Sequence, residues 1–394
     1  MRFVSYFNTA LLIIQSYDGS IPLSSYLRQY FLQHKKHGSK DRKYISHLCY
    51  CYYRLGHALK DIPVERRLKA TLFLCSADIS EWGILFEGPW LNNHSFLLSD
   101  RVAFIKTVYQ SFIPSQIFPW QSMLSEGIDA DAFALSHLVQ PDLFLRARPG
   151  NIDAVTRKLQ QHSIPYKLPA ANTIALPNAV KADTIIDLNK EAVVQDYSSQ
   201  QIQYFFSILQ HKPKSALTVW DCCAASGGKS ILAYDNIDNI QLTVSDVRPS
   251  IIHNLQQRFA DAGITKYKSF VADLTMPSTA TSSSQYGLVI CDAPCSGSGT
   301  WSRTPEQLYF FTQEKIAYYS ALQQKIVSRV ISQLQKDGYL LYITCSVFRQ
   351  ENEDMVNLVK QQYGLALVEQ CLLAGYTHKA DTMFAALFIN QGAA

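Results

Sequence analysis

No two of the nine cysteines stand in a C-x2-C pair, so the chain lacks the ligand spacing of a zinc ribbon or knuckle and no metal is expected. An odd cysteine count, without a secretory signal in the opening residues, points to a reducing, cytoplasmic setting. Long apolar runs are missing too. The stretch RFVSYFNTALLIIQSY (2–17) is broken by Asn8, Thr9 and Gln15. It falls short of the roughly 20 apolar residues that span a bilayer, so no membrane partner is expected. A net charge of +4 is too small for a polybasic protein; acidic polymers are permitted partners and receive no special weight. There is no internal repeat. The one low-complexity stretch, PSTATSSSQ (277–285), reads as a flexible surface loop.

Within 394 residues the texture changes twice, which is the pattern of a multidomain protein. Residues 1–125 read as an all-α domain. Leu11, Leu12, Ile14, Leu23, Tyr26, Leu27, Tyr30 and Phe31 recur at three- and four-residue steps, and further helices fit 42–59, 64–75 and 101–112. Pro63, Gly88-Pro89, Pro114 and Pro119 punctuate them. Residues 126–205 read as a small α+β module, with strands at 142–149 and 172–177 around a helix at 152–162. A helix at 198–210 leads into residues 206–394. There, strand candidates at 218–224, 241–247, 267–273, 287–294 and 339–346 alternate with helices at 249–262 and 305–335. Such alternation implies a parallel sheet with helices on both faces.

Neither G-x-G-x-x-G nor a P-loop is present: Cys223 stands where a P-loop ending in Gly228-Lys229 needs its first glycine. ATP hydrolysis is therefore disfavoured. What is present is DCCAASGGKS (221–230), an apolar strand end, then small residues and glycines, then a helix start. Small side chains let a ligand's carboxylate approach main-chain amides. A glycine pair alone is more often structural, but here acidic residues end the next two strands. Asp246 is placed to accept hydrogen bonds from ribose hydroxyls, and Asp273 to sit against an adenine edge. S-adenosylmethionine fits this set better than a nucleotide triphosphate.

Two cysteines stand on loops after apolar runs, Cys295 in DAPCSGSGT (292–300) and Cys345 in YITCSVFRQENE (342–353). An open α/β sheet gathers ligands beyond the carboxyl ends of its strands, so turn and thiols should face one crevice. Cys49, Cys51, Cys75, Cys222, Cys223, Cys291 and Cys371 read as small buried hydrophobes. Two thiols beside a methyl donor suit one chemistry in particular. C5 of cytosine is a poor nucleophile until a thiolate adds at C6 and makes C5 enamine-like. An acid near N3 and a base for the C5 proton complete the cycle. One cysteine adds, a second helps release, and Asp292 is placed to bridge cofactor and pyrimidine edge. DNA cytosine methylation normally needs a single thiol in a Pro-Cys setting, so the second thiol argues against it. The Pro-Pro-aromatic loop of amino-nitrogen methylation is replaced by DAPCSG. A catalytically silent RNA-binding or ribosome-assembly factor is the alternative, and it leaves both thiols unexplained.

Over roughly 140–394 the chain resembles the Nop/Sun family of RNA cytosine-5 methyltransferases. VVQDYSSQ (193–200), DCCAASGGKS, SDVRPSIIHNL (245–255), VAD (271–273), DAPCSGSGT and YITCSVFRQENE follow in family order. The resemblance implies a Rossmann-like class I methyltransferase domain with a mostly parallel seven-stranded sheet. It implies Cys345 as nucleophile and Cys295 as helper in product release. It places Cys223, Ala224, Ala225, Ser226, Gly227, Gly228 and Lys229, with Asp246, Asp273 and Asp292, around S-adenosylmethionine, and makes RNA, ribosomal RNA in particular, the partner. PDLFLRARPGNIDAVTRKLQQHSI (141–164) resembles the family's small RNA-binding module, and SKDRKYISHLCYCYYRLG (39–56) a NusB-like helical domain. The run HKKHGSKDRK (34–43) would then meet phosphates, although a charge run by itself is usually a solvated loop. Two departures stand out. Ser226 replaces the usual proline, which removes a φ restriction and weakens cofactor binding rather than chemistry. DLNKEA (187–192) replaces a Gly-rich approach to VVQD.

Overall fold

The computed structural model describes residues 2–209, 216–276 and 285–392. The low-complexity stretch, apart from Gln285, and the last residue of the helix expected at 198–210 lie outside them. Contacts divide the chain into two compact units. One comprises Met1–Leu124, Ile128–Gln140 and Thr300–Gln313, the other Ser125–Gly127, Pro141–Gly299 and Glu314–Ala394.

The first unit is helical, with Arg2–Ser16, Leu23–Gln33, Ser39–Arg54, Val64–Cys75 and Leu98–Val108 as its longer helices. Their apolar stripes meet in a core that includes Ala10, Ile13, Leu23, Ile45, Leu48, Leu68 and Leu72. A buried cation, Arg67, donates to the carbonyls of Tyr52 (2.7 Å), Gly56 (2.8 Å) and Ala58 (3.3 Å) and so satisfies the end of the third helix and its turn. The helix expected over 305–335 is broken into Pro305–Phe310 and Glu314–Ile331. Phe311 takes an extended conformation, and its ring packs 4.6 Å from Trp301 and 5.1 Å from Trp120. Burial of that ring outweighs continuing the helix.

The second unit carries two sheets. β1 (Leu143–Ala147), β2 (Lys167–Ala170), β3 (Thr173–Leu176) and β4 (Ala192–Val194) form an antiparallel sheet in the order β2-β3-β1-β4. Helix Ile152–Gln161 buries Val155 and Leu159 in the same small core as Leu145, Ile174 and Ala192. β5 (Leu217–Asp221), β6 (Ile240–Asp246), β7 (Tyr267–Val271), β8 (Tyr286–Asp292), β9 (Leu334–Thr344), β10 (Ala366–Leu373) and β11 (Met383–Ile389) form the larger sheet, ordered β10-β11-β9-β8-β5-β6-β7. Pairs among β5 to β9 are parallel, and β11 runs antiparallel between β9 and β10.

Period-two alternation feeds two cores. Val219, Leu242, Val244, Leu288, Ile290, Leu341 and Ile343 meet Ile231, Leu255 and Phe259 of the helices Gly228–Asn236 and Pro249–Asp261. On the other face Trp220, Val289, Leu340 and Tyr342 meet Ile326, Val327 and Val330 of Glu314–Ile331, with Met355 and Val356 of Glu353–Tyr363. From β5 the chain runs outward through β6 and β7, then returns to place β8 on the other side of β5. The topological switch thus lies between β5 and β8, the strands that deliver the cofactor turn and DAPCSG.

Candidate active site

β5 ends at Asp221 and releases the turn CCAASG. Ala225 there has φ 45° and Gly227 φ 84°, after which helix Gly228–Asn236 begins. A left-handed alanine is strained, and hydrogen bonds hold it in place. The Ala225 amide donates to Asp246 Oδ2 (3.1 Å), and Arg258 donates to both Ser226 O (2.9 Å) and Oγ (2.7 Å). Gly227 is required by packing as well as by φ: a Cβ there would lie 2.7 Å from Phe259 Cε1. Ser226, the departure from the resembling pattern, therefore gives Arg258 a hydroxyl acceptor beside the carbonyl that a proline would also offer.

Two cavities open beyond the strand ends. The larger, about 590 Å³, is lined by Asp246, Arg248, Asp273, Leu274, Leu322 and Ile326, among others. The smaller, about 250 Å³, takes in Gln195, Asp221, Gly228, Lys229, Arg258 and Met383. Cys223, Ala225, Asp292 and Cys345 line both. Cys295 belongs to the larger, and Ala224 and Ser226 to the smaller.

Loops after β8 and β9 bring the two thiols together. The Cys345 amide donates to Cys295 Sγ at 3.3 Å, and both residues are partly exposed. The thiol of Cys345 is held well above its ordinary pKa, by its hydrogen bond with Cys295 and then by burial and the Asp292 carboxylate; Lys229 opposes them. Lys229 Nζ donates to Asp292 Oδ2 at 2.5 Å. Burial works against the lysine's charge, but Asp292, Cys345 and Asp221 raise its pKa overall. Asp221 lies beneath this pair, fully buried. Its Oδ2 accepts from Ser230 Oγ at 2.6 Å while Oδ1 has no partner among the described residues. Burial lifts its pKa to about 7, against the Ser230 hydrogen bond and helped by Asp292.

Asp246 ends β6 as expected, Asp273 lies two residues beyond the end of β7 rather than at it, and both line the larger cavity, but their oxygens have local partners. Asp246 accepts from the Arg248 amide and Nε, both at 3.0 Å. Asp273 Oδ1 accepts from Thr275 N (2.9 Å) and Oγ1 (2.6 Å). Arg248, Arg258 and Glu351 went unread in the sequence; the last sits inside the QENE tail of the Cys345 motif, where an acidic residue after a strand end was the available signal. Among the described residues no cluster of three or more His, Cys, Asp or Glu side chains is suited to a metal, and no helix is long and apolar enough to cross a membrane.

A seven-stranded sheet, mostly parallel, with a glycine-bearing turn at its switch point is the architecture of a Rossmann-like methyltransferase domain. Residues 208–387 match the family model described as 16S rRNA methyltransferase RsmB/F. Through that segment the chain is similar to the RsmB/F methyltransferase family. It is 28% identical over 246 residues to ribosomal RNA small subunit methyltransferase B of Xylella fastidiosa, covering 59% of this chain and 57% of that one. The chain spans 55–61% of the length of such curated relatives. Among solved structures, that of PH0851 superposes with a TM-score of 0.69 at 18% identity, covering 97% of this chain and 98% of the other. NSun6 from Pyrococcus horikoshii, solved with SFG, superposes with a TM-score of 0.56 at 12% identity over 67% and 95% of the two chains. Both likenesses concern the fold.

Proposed function

We propose that the protein transfers a methyl group from S-adenosylmethionine to C5 of a cytosine in RNA, with ribosomal RNA as the substrate class. The observation that carries this is the pairing of Cys345 and Cys295 in the lining of a cavity whose walls suit that cofactor. Asp246 offers carboxylate oxygens to ribose hydroxyls once Arg248 shares them, and Leu274, Leu322 and Ile326 offer an apolar wall to an adenine. Asp292 offers negative charge to a ligand bearing an ammonium and a sulfonium. The turn residues Cys223 to Lys229 would hold the amino-acid end, and Asp273 would face the base. Bound there, the cofactor supplies the methyl group that C5 takes.

The chain's own residues carry the rest. Cys345 gives up its proton and adds through sulfur to C6, breaking the C5–C6 double bond and leaving C5 electron-rich. Lys229, the cation beside that sulfur, favours the thiolate, and the Lys229–Asp292 pair can shuttle a proton to and from the pyrimidine edge. After methylation the C5 proton passes to solvent water, its C–H electron pair re-forms the C5–C6 double bond, and the Cys345 sulfur departs as thiolate. Cys295, within reach of Cys345, assists that departure. The helical first unit and the small β1–β4 module are proposed as RNA-binding parts, as the resemblance of 39–56 and 141–164 implies. Tritium transfer from labelled cofactor to ribosomal RNA tests the reading: Cys345→Ala should reduce it to background. Undiminished transfer would contradict it, and absence of cofactor binding in a calorimetric titration would favour a silent RNA-binding factor.

A further inference from the structure

The residues that follow the two thiols converge on one buried side chain. Glu351 is fully buried, and its Oε2 accepts from the Ser296 amide (2.9 Å) and from Gln323 Nε2 (2.9 Å). Its Oε1 accepts from Ser346 Oγ (2.7 Å). Ser296 immediately follows Cys295, and Ser346 immediately follows Cys345. The clamp has further members. Gln323 Nε2 also donates to Pro294 O (3.1 Å), just before Cys295, and Ser296 Oγ donates to Ser346 Oγ (3.2 Å). The backbone of Glu351 is fixed in turn, because Tyr342 Oη donates to its carbonyl at 2.8 Å. Glu351 lines neither cavity, and its carboxylate hydrogen bonds go to the residues beside the two cysteines rather than to their sulfurs.

We infer that Glu351 is a positioning residue that sets the separation and aim of the two thiols by holding both loops with a single carboxylate. This rests on the two-thiol reading. Hydrogen bonds to a buried ionised group are among the stronger ones, and a carboxylate offers acceptors only, which matches the three donors gathered here. Without it the Ser296 amide and the Ser346 hydroxyl lose their shared anchor, and the loops can shift at the thiols while still joined by Gly299 N to Cys345 O (2.8 Å) and Val347 N to Ser298 Oγ (2.9 Å). A misplacement near 1 Å is worth on the order of 100-fold in rate. An amide at this position keeps one oxygen for Ser296 and offers an N–H to Ser346 Oγ, so it preserves most of the clamp.

The experiment measures methyl transfer, cofactor affinity and the denaturant-stable protein–RNA adduct in the full chain. Glu351→Ala should lower kcat by about 100-fold while the cofactor Kd stays within about twofold. The fraction of enzyme trapped as adduct should rise, because release needs both thiols and attack needs one. Glu351→Gln should recover to within about tenfold of the parent. Should Glu351→Ala fail to fold, Ser346→Ala cuts the arm to the Cys345 loop alone and should give the same signature in weaker form. Unchanged kcat and adduct in Glu351→Ala, or a loss of rate that tracks a loss of cofactor binding and of thermal stability, would overturn the positioning role. A Cys295→Ala chain that forms no Cys345-dependent adduct would instead overturn the two-thiol reading, and the split between kcat and cofactor affinity would still report on Glu351.

Discussion

Among single residues, the raised pKa of Cys345 makes a directional claim. A thiol held above its ordinary range is mostly protonated at neutral pH, so the thiolate fraction grows about tenfold for each pH unit below that pKa. The logarithm of kcat/KM should therefore climb with a slope near one between about pH 7 and pH 9. Lys229 stays charged across that window. A flat or falling profile would contradict the assignment of Cys345 as the attacking group. Asp221 makes a second claim, about stability. Its folded pKa, near 7, lies above the 3.8 of an ordinary aspartate. The folded state therefore holds the proton more tightly, and the stability this adds is fully present below about pH 4 and lost as pH rises through about 7. The parent should lose thermal stability relative to Asp221→Asn over that interval, and equal pH dependence in the two proteins would contradict it. That both thiols and the turn 223–229 gather beyond the strand ends was legible from motif order, because backbone conformation restricts which residue types fit such turns. Glu351 was not, since a carboxylate that acts through three hydrogen bonds has no sequence spacing of its own.

Among elements, the cofactor turn depends on the helix packed behind it. Arg258, on Pro249–Asp261, holds Ser226 and also donates through Nε to Asn189 Oδ1 at 3.1 Å. The two positions that depart from the resembling pattern, Ser226 and the DLNKEA loop, thus share one guanidinium. Arg258→Ala should weaken cofactor binding by about tenfold, the worth of one or two hydrogen bonds to a charged group. A calorimetric Kd unchanged from the parent would contradict this. The expectation that Ser226 merely loosens the turn omitted this bond, which needs a residue 32 positions away in the chain. Strand positions were readable within a residue or two for most of the parallel strands, where apolar runs end in Asp or Cys. β10 and β11 were not located from the residues; the antiparallel insertion of β11 depends on pairing with β9, which is a tertiary matter.

Across the whole second unit, the small sheet is tied to the large one by a buried charge cluster. Asp235, on the helix Gly228–Asn236, accepts from Arg146 (2.7 Å) and Arg148 (2.7 Å) of β1 and the turn after it, with side chains 3–13% exposed. Removing one partner of such a cluster leaves buried charge uncompensated, so Asp235→Ala should cost about 3–5 kcal/mol in a urea titration of the full chain. A loss below about 1 kcal/mol would mean the two sheets are held by apolar contacts alone. The sequence separated these segments by composition, and the cross-links that unite them joined residues 87 and 89 positions apart. The proposed chemistry stands on where sulfur meets the pyrimidine. Its most direct test incubates Cys295→Ala with ribosomal RNA and cofactor, digests the stalled adduct and maps the modified peptide by mass spectrometry. A single nucleotide attached at Cys345 is the predicted result; attachment at another cysteine, or no attachment while methylation proceeds, would contradict it.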